Sequence, residues 1–486
     1  MRCLGVLTVV ALAGCAGPSP GSQPPPSDAG TDGSGDLAAP RPVAPVSVSF
    51  LTSRRPTFRW RLPEAADGAR VELCADRACR SLVGTFDAAG DHGAPHGDLP
   101  SGVVFWRVRG LRAGTAGDAA SAVWQAVVPR QSAPVATTWG SMLDADGDGF
   151  GDVVVGDSDS VTATQHVYVH RGGAQGPAAA PSWVLSAPAP VPRYANAVAG
   201  AGDVDGDGFG DVLVGSPGED TVYVYRGGPG GLVDPPSARL IGPAKSSFGA
   251  AVSGAGDVDG DGYADVVVGA PSLGGPGAQV QGGATLFYGG PSGLDASRST
   301  ALGPRAGSDA QGLGSFVAGA GDLDGDGLAD VAVWGGIEST DPQYLLVYLG
   351  KDRPFGAAPG ALLQYDGASA SWLDCASLLV GAGDVDGDGY PDLVMSSAVD
   401  PGSGFATDHL SIFAGGPSGP SALPWRRVDS PLGAADRFGL GVAAVDLDGD
   451  GLGDVAVGVA SYAQPPVAAL VYRGSAGGPS LATTLT

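Results

Sequence analysis

The sequence predicts an all-β protein: a β-propeller of four-stranded blades preceded by a small antiparallel β-sandwich. Three observations carry that prediction. One acidic nine-residue stretch recurs to give six copies in all, short β-branched runs follow the copies, and turn residues abound, with 83 Gly and 40 Pro among 486 residues. Self-similarity at a spacing of this size marks one supersecondary unit used over and over.

The front end is not part of either domain. Arg2 supplies a charged start, and residues 4–13 form an apolar run. That run is too short to span a bilayer and fits a signal-peptide core. It ends in Leu12-Ala13-Gly14-Cys15, which resembles the lipobox of bacterial lipoproteins. The resemblance implies cleavage after residue 14 and acylation of Cys15, so that 1–14 is a lipoprotein signal peptide. Ala16 and Gly17 follow in place of the family's inner-membrane retention Asp, which implies the outer membrane. Several acyl chains on one Cys anchor stably, where a single chain holds only marginally. Residues 15–42 are Pro, Ser, Gly and Asp with few apolar side chains. Such a composition is expected to form an extended tether.

Residues 43–130 lack the acidic stretch and carry short alternating runs, such as Thr57-Phe58-Arg59-Trp60-Arg61 and Val103-Val104-Phe105-Trp106-Arg107-Val108. Their spacing predicts a small antiparallel sandwich. The early-strand Trp and the Leu99-Pro100-Ser101-Gly102 turn before an aromatic strand resemble a fibronectin type III or immunoglobulin-like module. Cys74 and Cys79 are close enough in sequence to close a short loop by a disulfide in an exported protein. Cys375, in an apolar context, reads as a buried free thiol.

Residues 135–486 are expected to form the propeller. A small-residue strand precedes each acidic loop, as in Ala250-Ala251-Val252-Ser253-Gly254-Ala255-Gly256. A β-branched strand follows, as in Val212-Leu213-Val214-Gly215, then a third such as Val222-Tyr223-Val224-Tyr225, then a less regular fourth. Four strands per unit, repeated radially, make propeller blades. Six units favour six blades, with seven as the alternative.

The loops carry the chemistry. Each reads D-x-D-G-D-G-(aromatic or Leu)-x-D, and the starts lie 59, 54, 65, 62 and 62 residues apart. Aspartates at positions 1, 3 and 5 point inward when the backbone curls, and Gly at 4 and 6 permits the curl. The carbonyl of position 7 and the carboxylate of position 9 complete an oxygen cage that suits calcium better than magnesium. The bland alternative is a polar Asp-Gly turn, which six copies in register disfavour. The predicted ligands are Asp144, Asp146, Asp148, Phe150 and Asp152 in the first copy, and Asp203, Asp205, Asp207, Phe209 and Asp211 in the second. The third supplies Asp257, Asp259, Asp261, Tyr263 and Asp265, and the fourth Asp322, Asp324, Asp326, Leu328 and Asp330. The fifth supplies Asp384, Asp386, Asp388, Tyr390 and Asp392, and the sixth Asp446, Asp448, Asp450, Leu452 and Asp454. An EF-hand also begins this way but needs a bidentate Glu at position 12 and flanking helices. Position 12 here is Val155, Val214, Val268, Val333, Met395 and Val457.

Phe248-Gly249, the aspartate loop and Val268-Gly269-Ala270-Pro271 together resemble the FG-GAP repeat of integrin α chains and bacterial surface proteins. The resemblance implies about six structural calcium ions, one between the first and second strands of each blade. The Phe-Gly pair is weakened to Trp139-Gly140, Tyr194-Ala195, Leu313-Gly314 and Cys375-Ala376, and the seven blades of integrin heads leave the count open.

The net charge of −25 fits this picture, since the six loops alone hold 24 carboxylates. No basic stripe exists to neutralise phosphates, so nucleic acid is not an expected partner. No G-x-S-x-G string stands at an elbow between a predicted strand and a helix, no H-E-x-x-H motif is present, and the chain has five His; no enzyme activity is expected. The calcium loops share a propeller face with the turns between third and fourth strands. The other face carries longer, varied segments at Ala270–Gly283, Gly335–Tyr344 and Ser396–His409. Variable loops on a rigid scaffold are where binding usually lives, and in integrins that face meets the ligand. The expectation is a lipid-anchored, calcium-stabilised envelope protein, periplasmic or surface-exposed. Its partner would be a protein or glycan on the face opposite the calcium loops. A hydrolase or lectin-type carbohydrate-processing protein is the alternative.

Overall fold

The computed structural model describes residues 37–45, 49–51, 54–121, 123–128, 143–148, 150–157, 165–173, 176–188, 191, 193–261, 263–274, 281–304, 311–326, 328–335, 343–350, 358–365, 379–388, 390–397, 409–431, 436–445, 452–461 and 468–485. The expectations for the signal peptide, Cys15, Cys375, the Trp139-Gly140 and Cys375-Ala376 pairs, and Asp446, Asp448 and Asp450 fall outside them.

The described residues are all β, without a helix. The N-terminal part is a two-sheet sandwich. One sheet pairs Arg41–Ala44, Phe58–Arg61 and His92–Gly93. The other runs Ser49–Phe50, Trp124–Val128, Gly102–Arg112, Gly68–Cys74, Leu82–Ala89, with Thr115–Ala120 on the far half of Gly102–Arg112. Alternate side chains of both sheets bury Phe58, Trp60, Val71, Trp106 and Trp124 in one core. Phe58 meets Trp106 edge-on at 4.8 Å, and Trp106 meets Trp124 at 5.6 Å, the arrangement aromatic quadrupoles favour. Two details differ from expectation. Ser49–Phe50 pairs in parallel with Trp124–Val128, whereas the sandwich was expected to be antiparallel throughout. Folding also begins before residue 43. The first strand starts at Arg41, and Leu37 is buried, lying close to Gly110 and Gly117. The end of the expected tether thus belongs to the sandwich, because glycine leaves the sheet surface open to the Leu37 side chain.

Six successive antiparallel sheets follow among the described residues. The first shows three strands, Val153–Asp157, His166–His170 and Trp183–Ser186. The other five show four each, as in Ala197–Gly202, Asp211–Ser216, Thr221–Tyr225 and Ala238–Ile241. Consecutive strands pair with consecutive strands, as propeller blades require. Each core lies between neighbouring sheets: Val267 and Leu286 of the third pack with Val331, Val333 and Leu346 of the fourth.

The small-residue first strands have a physical reason. They line up side by side from sheet to sheet, where blades converge and backbones touch. A Cβ at Gly254 would sit 2.7 Å from the Gly200 carbonyl oxygen, and one at Gly381 2.6 Å from that of Gly319. The two weakened Phe-Gly pairs among the described residues, Tyr194-Ala195 and Leu313-Gly314, keep their place. Gly215 lies against Gly249, Gly156 against Ala195 and Gly269 against Gly314, so the pair of one blade clasps the second strand of the blade before it. Ala195 adopts φ 56° there, and Gly249 φ 87°.

Candidate metal centres in the first-to-second-strand loops

Each of the middle four first strands ends in a bulge, between Gly200 and Gly202, Gly254 and Gly256, Gly319 and Gly321, and Gly381 and Gly383. The chain then curls through the acidic loop and enters the second strand at or next to the ninth residue. Position 12 lies inside the second strand in all six units. The strand–loop–strand geometry therefore replaces the helix–loop–helix of an EF-hand.

In five loops the aspartates at positions 1, 3 and 9 converge. They are Asp144, Asp146 and Asp152; Asp203, Asp205 and Asp211; Asp257, Asp259 and Asp265; Asp322, Asp324 and Asp330; and Asp384, Asp386 and Asp392. In each set one carboxylate oxygen per residue lies within 4.8 Å of the others. Position 1 and position 9 are buried in all five. In the sixth loop the described residues begin at Leu452, so only Leu452 and Asp454 of its predicted ligands can be placed.

The carboxylates also organise the loop themselves. Position 1 accepts from the loop's own amides: Gly206 N–H and Asp207 N–H reach Asp203 Oδ1 at 2.7 and 3.1 Å, and Gly208 N–H reaches Oδ2 at 2.8 Å. Position 5 stands outside the converging set. Its carboxylate accepts from the amide of position 7, as Phe209 N–H does to Asp207 at 3.0 Å and Tyr390 N–H to Asp388 at 2.8 Å. Position 9 is a staple. Asp211 Oδ2 accepts from Val204 N–H and Oδ1 from Gly227 N–H, both at 2.9 Å. The same second bond runs from Gly172, Gly289, Gly350, Gly415 and Gly474 to the aspartate at position 9 of their own blades. It ties the loop to a glycine one or two residues past the third strand.

Position 7 acts through its side chain. Its side chain packs on the position-4 glycine of the preceding loop. A Cβ on Gly147 would meet the Phe209 ring at 2.9 Å, on Gly206 the Tyr263 ring at 2.7 Å, and on Gly325 the Tyr390 ring at 2.6 Å. Leu328 and Leu452 play the same part against Gly260 and Gly387. The backbone adds a bond from the amide of position 8 to the position-1 carbonyl of the preceding loop. It is 2.7 Å from Gly210 to Asp144, 2.9 Å from Ala264 to Asp203, 3.1 Å from Ala329 to Asp257 and 2.7 Å from Gly453 to Asp384. At the remaining described junction position 8 is Pro391, which has no amide hydrogen. The sequence signal for this interlock was present, in the invariably bulky position 7 and the small position 8, but the cage chemistry alone accounts for neither.

Arginines fringe the loops. Arg171 pairs with Asp146 at 2.6 Å and Asp148 at 2.9 Å, Arg226 with Asp205 at 2.9 Å, and Arg298 with Asp261 at 2.8 Å. The N-terminal sandwich also faces this side. Gly102 lies beside Gly208, and Arg61 beside Gly387. Arg41 donates to the Asp388 carbonyl, and its guanidinium sits 3.8 Å over the Tyr390 ring.

Three converging carboxylates, two of them buried in each of the five sets, fit a hard divalent cation, which prefers oxygen ligands. Their protonation says the same. Burial pushes Asp152 and Asp203 up to about 7 and Asp392 up to about 8. Burial, with neighbouring aspartates adding, holds Asp211, Asp265 and Asp330 well above the ordinary carboxylate range. A pH dependence follows. A carboxylate whose folded value is raised stabilises the fold below its unfolded value, near 4, and that stability is lost as pH rises through the folded value. The melting temperature of metal-free protein is therefore expected to fall between pH 5 and pH 9. Saturating calcium should flatten that slope, because the ion takes the place of the protons. A metal-free melting temperature that climbs over this range would refute the assignment.

Residues 203–268 and 322–395 match the family described as FG-GAP-like repeat. Integrin alpha-PS3 of Drosophila melanogaster is 39% identical over 89 residues, covering 16% of this chain and 8% of that protein. Integrin alpha-5 of Xenopus laevis is 33% identical over 148 residues, covering 27% of this chain and 14% of that protein. The chain thus spans a small fraction of the length of these relatives. Among solved structures, the exotype rhamnogalacturonan lyase YesX aligns over 93% of this chain and 74% of its own, at 12% identity and a TM-score of 0.31. That score is too low to carry an argument. On the matched repeats and the four-stranded sheets that bear them, the chain is an all-β protein with FG-GAP-like repeats, and part of it is similar to integrin α chains.

Proposed function

We propose that this is a non-enzymatic binding protein of the bacterial cell envelope, anchored by lipid on Cys15. Its propeller is stiffened by calcium on one face and receives a protein or glycan on the other. The observation that carries this reading is the use made of the acidic loops. The same carboxylate cluster recurs in five consecutive loops, each built into the contact with its neighbour. Residues repeated in that way fasten a scaffold. A reaction centre would instead gather one distinct constellation with room for substrate beside it. The docked sandwich adds support, since it occupies part of the loop face and leaves the opposite face for a partner.

The disulfide between Cys74 and Cys79, with Cα atoms 5.1 Å apart, agrees with export to an oxidising compartment. The six bound ions, the fibronectin-like character of the sandwich and the outer-membrane address belong to the same reading. The test is binding of the purified chain to arrays of envelope proteins and glycans, in calcium and after metal stripping. Calcium-dependent capture of a defined protein or glycan supports the proposal. Turnover of a panel of glycosides, polysaccharides or esters, with no such capture, would favour the carbohydrate-processing alternative.

A further inference from the structure

The short loop closed by Cys74 and Cys79 projects from the sandwich and carries Arg77. Its guanidinium lies 2.5 Å from Asp257 Oδ2, the first aspartate of the third acidic loop, whose side chain is fully buried. The arginine's stem runs along the same loop: a Cβ on Gly260 would lie 3.2 Å from Arg77 Cδ. The guanidinium is thus seated at the cluster of Asp257, Asp259 and Asp265. In the first two loops the pairing arginine belongs to the same blade and lands on the aspartate at position 3 or 5, as Arg298 does on Asp261 of the third loop. Arg77 instead comes from a different domain and lands on position 1.

We propose that Arg77 is a latch: it serves as the resident cation of the third loop and competes there with calcium, so that metal binding at this loop releases the disulfide finger from the propeller. The proposal rests on the reading that the acidic loops take calcium. A guanidinium and a divalent ion sharing one carboxylate would stand side by side in a poorly hydrated site, where like charges repel strongly. Other described contacts of the sandwich, through Gly102, Arg41 and Arg61, reach the second and fifth loops at glycines, a carbonyl and a ring, with the charges of Arg41 and Arg61 also acting on Asp386. Calcium at the third loop should therefore free the finger without detaching the whole domain. Linkage makes the effect reciprocal: whatever factor calcium takes from the latch, the latch takes from calcium.

Calorimetric titration of calcium into the metal-stripped full mature chain, as wild type and as Arg77→Ala, tests this. The variant is expected to show one site bound about tenfold tighter, or one additional ion within the titrated range. Uptake identical in stoichiometry and affinity overturns the latch while leaving the calcium reading intact. No uptake by either protein overturns both. Should Arg77→Ala fold poorly, hydrogen exchange over residues 74–79 of the wild type decides. Exchange in the finger is expected to quicken when calcium is added, against the protective trend in the loops. Slower or unchanged exchange there overturns the proposal.

Discussion

Metal-stripped protein is expected to melt about 10 °C below the calcium-loaded form. The magnitude follows from mass action. At about 2 mM calcium, a site with a Kd of ~10⁻⁴ M, the tight end of the range for extracellular modules, contributes about 1.8 kcal/mol. Five such clusters, filled independently, would add about 9 kcal/mol. In a domain of some 200 residues each 1 kcal/mol moves the midpoint by roughly 2 to 4 °C, and less in a larger one. Melts followed by circular dichroism, before stripping, after it and after calcium is restored, measure the difference. Magnesium should restore less, because it demands a tighter octahedron and gives up water reluctantly. A midpoint unmoved by stripping would reduce the loops to polar turns.

The second large effect separates the two jobs of the carboxylates. Asp211→Ala is expected to destabilise the chain by about 2–6 kcal/mol whether or not calcium is present. Asp211 is fully buried and accepts from the Val204 and Gly227 amides. Losing it strands two buried N–H groups, each costing about 1–3 kcal/mol. Asp203→Asn should behave differently. Its remaining carbonyl oxygen can still accept from the Gly206 and Asp207 amides, and only the Gly208 N–H loses its acceptor, so the metal-free protein should lose about 1–3 kcal/mol. The calcium-dependent increment should shrink as well. Urea denaturation of both variants, with and without calcium, reads the two patterns. If Asp203→Asn proves the more damaging in metal-free buffer, the division of labour is wrong.

Much of this was legible in the letters. The strand order of each blade follows from Val212-Leu213-Val214 and Val222-Tyr223-Val224-Tyr225, whose alternation and spacing admit little else. The convergence of positions 1, 3 and 9 follows from a repeated pattern of carboxylate and glycine. What could not be read was everything that depends on a neighbour outside the unit. Phe209 looks like a carbonyl donor until Gly147 of the previous loop is seen beneath its ring. Gly227 looks like a turn residue until its amide is found on Asp211. The Leu37 side chain looks like part of a tether until Gly110 and Gly117 are seen to receive it. Arg77 gives no sign in sequence that it will meet a residue 180 positions later. Local patterns encode the blade, whereas contacts between blades and domains depend on how the blades are stacked.

The proline at position 391 has a mechanical consequence. Between the first and second, second and third, third and fourth, and fifth and sixth loops, an amide at position 8 stitches one acidic turn to the last. Between the fourth and fifth, Pro391 has nothing to donate, and its ring rests on Gly321 instead, while Gly416 N–H to the Leu323 carbonyl still spans the junction at 2.8 Å. The array is therefore not uniformly sewn. It has a fold line there, dividing four units from two, and when the chain is pulled or heated the first gap should open along that crease.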